Sequence, residues 1–249
     1  MHLPLLALLA AIGLVGGIGI TTVGPGGVLP TIGLLALTGL SPAQVAGTAI
    51  VTHVATGAVG TWAYTRSGQL RARNTLRIAL MLGATALLGT TAGVVAGTLV
   101  SKEIFTVIVG AVVAAAAGML WYRGRSDAPP LVDLPTAVVV AIGLSVSAVS
   151  GLVGIGGPML TVPLLVAAGL PVLQSVACAQ VQSIVIATVG TLGYLLHGTI
   201  DWPLAGLIGI PELAGVLIGW KLAHALPTRV LRIVLIAALC VLAVYLIAG

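Results

Sequence analysis

Ten apolar stretches, at 3–23, 27–39, 41–65, 75–99, 103–122, 135–153, 157–169, 171–197, 203–223 and 228–248, follow one another with little but turn residues between them. Most approach or exceed the ~20 residues that a helix needs to cross the hydrocarbon core of a bilayer. A water-soluble domain of 249 residues needs a charged surface, yet only 6% of this chain is charged while 59% is hydrophobic. Its outer surface therefore faces lipid, and the chain reads as an all-α membrane protein. The 34 glycines fit that class, because small residues let membrane helices approach closely. Leu3 to Ile20 lacks a positively charged start and its surroundings recur later, so it reads as part of the fold, not as a leader.

Sliding the chain on itself by 130 residues uncovers a duplication. Gly24, Gly26, Gly27, Thr31, Gly39 and Gln44 meet Gly154, Gly156, Gly157, Thr161, Gly169 and Gln174, and Gly60, Thr61 and Tyr64 meet Gly190, Thr191 and Tyr194. Of the 45 positions from 24 to 68, 16 are identical, and shared apolar composition alone would not align glycines and a glutamine. Farther on the register shifts slightly, with Gly83, Gly89 and Gly93 meeting Gly209, Gly215 and Gly219. The sequence thus divides into a first repeat at 1–122, a polar, proline-rich linker at 123–134 and a second repeat at 135–249.

The breaks at Gly24-Pro25-Gly26-Gly27 and Gly154-Ile155-Gly156-Gly157 admit two topologies. If each broken stretch is one interrupted pass, the halves are parallel and the basic residues divide six against four between the two faces. If each is a hairpin that returns to its starting side, the halves are inverted, and every Lys and Arg except Lys102 shares one face. The positive-inside rule favours the second arrangement. The expected fold is two inverted repeats, each opening with a Gly-broken helical hairpin followed by three transmembrane helices. The basic loops are then cytoplasmic and both termini lie outside. Trp62, Tyr64, Trp121, Tyr122 and Trp220 fall near the cytoplasmic interface on this reading. The basic excess encodes orientation and gives no sign of a nucleic-acid partner.

Backbone left unpaired at membrane depth is tolerated only inside protein or beside a water-filled cavity. N–H groups at the start of a short helix, with the positive end of its dipole, make an anion site without a charged side chain. That argument singles out Gly26, Gly27, Gly156 and Gly157, against the plainer possibility that the glycines only let helices cross. The run Gly154-Ile155-Gly156-Gly157-Pro158-Met159-Leu160-Thr161-Val162-Pro163 resembles the glycine-rich signature of the TauE/SafE family of sulfite-exporter-like permeases. The resemblance extends over nearly the whole chain. It implies a carrier of sulfite, of sulfonates such as sulfoacetate, or of related sulfur anions in the cytoplasmic membrane. The first copy departs from the signature, with Pro25 in a variable slot and Gly33 where the second copy has Pro163.

Gln44, Thr48 and Thr52 recur every fourth residue, and Gln174, Cys178 and Gln182 repeat that stripe in the second half. Polar side chains facing lipid are costly, so the stripes turn inward, either to line an anion cavity or to join helices. Thr31 and Thr161 flank the breaks, where a hydroxyl serves as a cap or as a substrate contact. Gln180 lies off the stripe. Deep ionisable residues are few: His53 and Glu212 are candidates for proton coupling, with a packed histidine and a carboxyl bound to backbone freed by Pro211 as the alternatives. Neither paired carboxylates nor a nucleophile triad stands out, Cys178 and Cys240 have no metal-ligand spacing, and the nucleotide loop GxxxxGK[ST] is missing.

The chain is therefore expected to be a secondary transporter without cofactor or metal, working by alternating access. Its partners are a small anion, the bilayer, co-transported protons and a second copy of itself. An anion channel and a permease for a non-sulfur anion are the main rivals. An intramembrane enzyme and a metal permease lack the residues they need.

Overall fold

The computed structural model describes residues 3–101 and 134–227, with scattered positions within 103–118 and 229–237. Eight α-helices are described along their length: α1 (Leu3–Thr22), α2 (Val28–Leu37), α3 (Pro42–Arg66), α4 (Arg73–Gly97), α5 (Thr136–Val153), α6 (Pro158–Ala168), α7 (Val172–Leu196) and α8 (Trp202–Ala225). No strand occurs among the described residues. Most of the stretches expected at 103–122 and 228–248, the linker and both chain ends lie outside the described residues, as do Lys102, Trp121 and Tyr122.

Five helices, α1, α4, α5, α7 and α8, are long and apolar enough to cross a membrane. Five such helices are what a multi-pass membrane protein requires. The 25-residue α3 has the length but not the hydropathy, because Gln44, Thr48, Thr52, His53 and Thr56 interrupt its apolar run. Such a helix is stable in a bilayer only when other helices surround it. It packs against both α7 and α8.

Close approaches at glycine fix the packing. A methyl group built on Gly89 would collide with the Ser147 hydroxyl and stand 2.7 Å from the Leu144 carbonyl oxygen and 3.1 Å from the Ala148 nitrogen. On Gly215 it would collide with the Leu14 carbonyl oxygen and stand 2.8 Å from the Ile18 nitrogen. Leu14 and Ile18 are the 130-residue counterparts of Leu144 and Ala148. The α4–α5 and α8–α1 contacts are thus one contact made twice, and in each the two helices run in the same direction. A second correspondence joins α3 to α7: Gly60 lies against Gln180, and Gly190 lies against Ile50. Adding or subtracting 130 turns the first pair into the second. Since 47 meets 194 and 57 meets 184 as well, α3 and α7 run antiparallel.

Each repeat also closes the last turn of its opening helix in the same way. Tyr64 donates to the Thr21 carbonyl, and Tyr194 donates to those of Gly151 and Leu152 at 2.9 and 3.1 Å. Carbonyls in a final helical turn have no intrahelical donor, so a buried phenol replaces the missing partner. Tyr64 is wholly buried, its ring centre 5.6 Å from that of His224 in the last turn of α8. Trp62 is exposed, with the Arg66 guanidinium 5.6 Å from its ring centre. Tyr64→Phe and Tyr194→Phe should each lower the apparent Tm in detergent by roughly 2–12 °C, the effect of orphaning one buried carbonyl. An unchanged Tm would show that water reaches those carbonyls.

The α3–α4 turn, carrying Arg66, Arg71 and Arg73, packs beside the end of α8, which carries Lys221. Trp220 donates to the Ser67 hydroxyl at 3.3 Å, and the Gln69 amide donates to His224 at 3.2 Å. Arg77 reaches the Thr136 hydroxyl at the start of α5 at 2.6 Å. Basic residues from both repeats therefore gather at one end of the bundle.

Candidate functional site

Both glycine breaks are held open by backbone that side-chain-bearing residues rarely adopt. Gly24 has φ 107° and Gly154 has φ 74°. Each break docks on the other repeat. A methyl on Gly24 would stand 2.7 Å from the Pro158 carbonyl oxygen, and one on Gly154 would collide with the Ala46 backbone. Thr31 ties the two together by donating to the Gly154 carbonyl at 3.2 Å. After the first break the chain runs back along α1, with Pro30 beside Gly16 and Gly33 beside Ile12.

The breaks meet at His53. A methyl on Gly27 would stand 2.9 Å from His53 Nε2, and one on Gly156 would overlap the His53 ring and stand 3.1 Å from Ser183 Oγ. His53 is fully buried, with Nε2 3.2 Å from the Gly27 carbonyl oxygen and Nδ1 2.9 Å from that of Ala49. The Thr52 hydroxyl, 3.3 Å from Nδ1, directs its own proton to the Ala49 carbonyl. Both ring nitrogens thus face acceptors.

Glu212 stands beside the His53 ring. Its Oε1 lies 3.8 Å from His53 Nε2, both side chains are inaccessible to solvent, and neither carboxyl oxygen has a hydrogen-bond partner. The carboxyl makes no bond to backbone freed by Pro211. Among the described residues, the N–H groups of Gly156 and Gly157, at the start of α6, have no hydrogen-bond acceptor. Among the described residues, no three His, Cys, Asp or Glu side chains converge as metal ligands would.

The structure therefore brings together Gly27, Gly156, His53 and Glu212, with Gly157 and Thr31 alongside. Other candidates are engaged elsewhere. The Gln44 amide accepts from Ser41 N at 3.0 Å and closes a capping box at the start of α3. Thr48 accepts from Asp201 N at 2.9 Å, and Cys178 donates to the Thr75 carbonyl at 3.3 Å. Gln174 is half-buried in the first turn of α7. Thr161 donates to the Gln182 carbonyl oxygen, and the amide nitrogen of Gln182 reaches the Gly143 carbonyl at 3.4 Å. That pair clasps α5, α6 and α7 near Gly157. Gly26 is pressed on the α1 backbone at Gly16 and Ile20. The inward face of α3 is thus the one bearing His53, Gly57 and Gly60, while Thr48 and Thr52 turn toward α8. Ser183, beside Gly156, was not singled out from sequence; adding 130 to His53 points to it.

The family model described as Sulfite exporter TauE/SafE matches residues 9–246, nearly the whole chain. The chain belongs to that family. TauE/SafE proteins are membrane transporters, so the buried pair and the two breaks sit inside a transporter of the sulfite-exporter type. No curated protein and no solved structure matches the chain.

Proposed function

We propose that this TauE/SafE protein carries a small sulfur-containing anion, such as sulfite, sulfoacetate or a related sulfonate, through the cytoplasmic membrane by alternating access. The observation that carries the reading is the convergence of both glycine breaks on the buried His53. An anion there meets an imidazolium on one side and the free N–H groups of Gly156 and Gly157, at the positive end of α6, on the other. Gly27, Gly156, Gly157 and His53 form the substrate site on this proposal. Thr31, Thr161, Gln182 and Gly26 shape it. Gln44, Thr48, Gln174 and Cys178 act through the helix packing that surrounds it.

The repeats are inverted in this proposal, and each opens with a re-entrant hairpin broken at its glycines. Antiparallel α3 and α7, which are counterparts by the 130-residue repeat, support a two-fold axis lying in the membrane plane. The gathering of basic residues at one end supports a cytoplasmic position for that end and outer positions for the termini. His53 belongs to the first repeat and Glu212 to the second, so a shift of α3 against α8 alters the site directly.

The test is counterflow of radiolabelled sulfite, sulfoacetate and thiosulfate in proteoliposomes. Saturable counterflow of at least one anion is expected, and the strongest competitor identifies the substrate class. Conductance without counterflow would support a channel instead. Movement of none of the three by folded protein would remove sulfur anions as the cargo.

A further inference from the structure

The buried pair formed by His53 and Glu212 carries an inference that rests on the carrier reading and goes beyond it. Glu212 lies in α8 with both carboxyl oxygens lacking a donor, which is costly for a buried charge unless a countercharge is close. Among the described residues His53 is the ionisable group within reach, at 3.8 Å, with the Thr52 side chain beside it. From α1 and the 25–37 stretch no ionisable side chain approaches, since those segments contain none. On α3, Tyr64 hydrogen-bonds to Thr21 and Arg66 is at the helix end, leaving His53 alone at this depth. On α7 the Cys178 thiol is directed to Thr75, and the Tyr194 hydroxyl to Gly151 and Leu152. On α8 itself Asp201, Lys221 and His224 are at the ends. Among the described residues, His53 and Glu212 therefore face one another and no other ionisable side chain.

We infer that Glu212 is the internal anion that the substrate replaces at His53, and that a proton taken up by Glu212 accompanies each anion carried. In the empty site the imidazolium of His53 is balanced by the carboxylate of Glu212. When an anion occupies the imidazolium, an ionised Glu212 beside it would add a second buried negative charge against a single positive one. Protonation restores the balance. The empty pair, plus one monoanion, plus one proton, gives imidazolium, bound anion and neutral carboxylic acid, with no change in total charge. Release of the anion returns the proton, because His53 again requires a countercharge. The glutamate has no twin: the equivalent places hold Ser183 for His53 and Ala86 for Glu212. One proton site per transporter follows.

The experiment measures radiolabelled sulfite accumulation in proteoliposomes, with membrane potential clamped at zero and leak in protein-free liposomes subtracted. A gradient of one pH unit, acid on the side of entry, should drive accumulation of the hydrogensulfite monoanion up to about tenfold, since one proton travels with each anion. Glu212→Gln should reduce that ratio to about one and flatten the pH dependence of exchange. Wild-type accumulation that ignores the gradient, with counterflow intact, overturns the coupling and leaves the carrier reading in place. Gradient-driven accumulation that persists in Glu212→Gln assigns the proton to another group and also overturns it. Lack of sulfite counterflow in the wild type defeats the sulfite-carrier reading, and this inference falls with it. Because the wild-type measurement decides by itself, poor folding of the variant does not shield the proposal.

Discussion

Alanine at Gly93 or Gly215 is expected to abolish recovery of monodisperse protein, whereas alanine at Gly206 is expected to leave recovery unchanged. At Gly93 the new methyl would overlap the Ala148 carbonyl oxygen and lie 2.8 Å from its carbon and 2.9 Å from the Leu152 nitrogen. At Gly215 it would overlap the Leu14 carbonyl oxygen and stand 3.0 Å from Gly17 Cα. These neighbours are backbone, so no side chain can swing aside and the two helices must separate. Overpacking a core against movable neighbours costs ~1–3 kcal/mol. Against two rigid helix backbones the cost should lie at or above the top of that range. Membrane helices associate through dispersion contacts and have no hydrophobic drive to compensate for a gap. Separation along α4–α5 or α1–α8 also withdraws bonds made across those seams, such as Thr21 to the Val216 carbonyl at 2.7 Å. Gly206 is the control, because a methyl there meets nothing within 4 Å and the position is exposed. Alanine favours helix by up to ~1 kcal/mol, so Gly206→Ala should be neutral or slightly stabilising. Size-exclusion profiles in mild detergent check all three. A Gly93→Ala protein as well behaved as the wild type would mean that α4 and α5 do not touch through their backbones.

Much of this architecture could be read from sequence because its punctuation is local. Gly24, Ser41-Pro42 and Gly154 end or begin helices through their own backbone preferences, and the observed bounds fall within a few residues of those expected. The repeat was equally legible, since it is written in residues that pack on backbone, as Gly60 and Gly190 do. The orientation of α3 was not. A helix surrounded by others has more than one inward face, and polarity alone favoured Gln44, Thr48 and Thr52 over the face with His53 and the glycines. The Ser41–Gln44 spacing also fits a capping box, which occupies that glutamine locally. The union of His53 with Glu212 was hidden for another reason. The residues are 159 apart, and neither has an ionisable counterpart in the other repeat, so no symmetry pointed from one to the other.

Gly156→Ala is expected to yield folded protein whose transport is reduced by roughly 100-fold or more, the scale for displacing a binding group by about 1 Å. It differs from its neighbour Gly154, where positive φ and the Ala46 backbone make any side chain a folding defect. At Gly156 the methyl meets the end of a side chain, the His53 ring, which can rotate away. Rotation separates Nε2 from Gly27 and Glu212 and removes the ring from between the breaks. The loss is therefore functional and appears as reduced sulfite counterflow with an undisturbed size-exclusion profile. Combination with His53→Ala tests the route. If the methyl acts by displacing the ring, removal of the ring leaves it nothing to displace, and the double variant should transport no worse than His53→Ala alone. An additional loss would mean that the methyl also crowds the anion where it meets the Gly156 and Gly157 N–H groups. Wild-type counterflow in Gly156→Ala would show that the anion does not pass between the breaks, and the proposed site would have to be abandoned even with the fold intact.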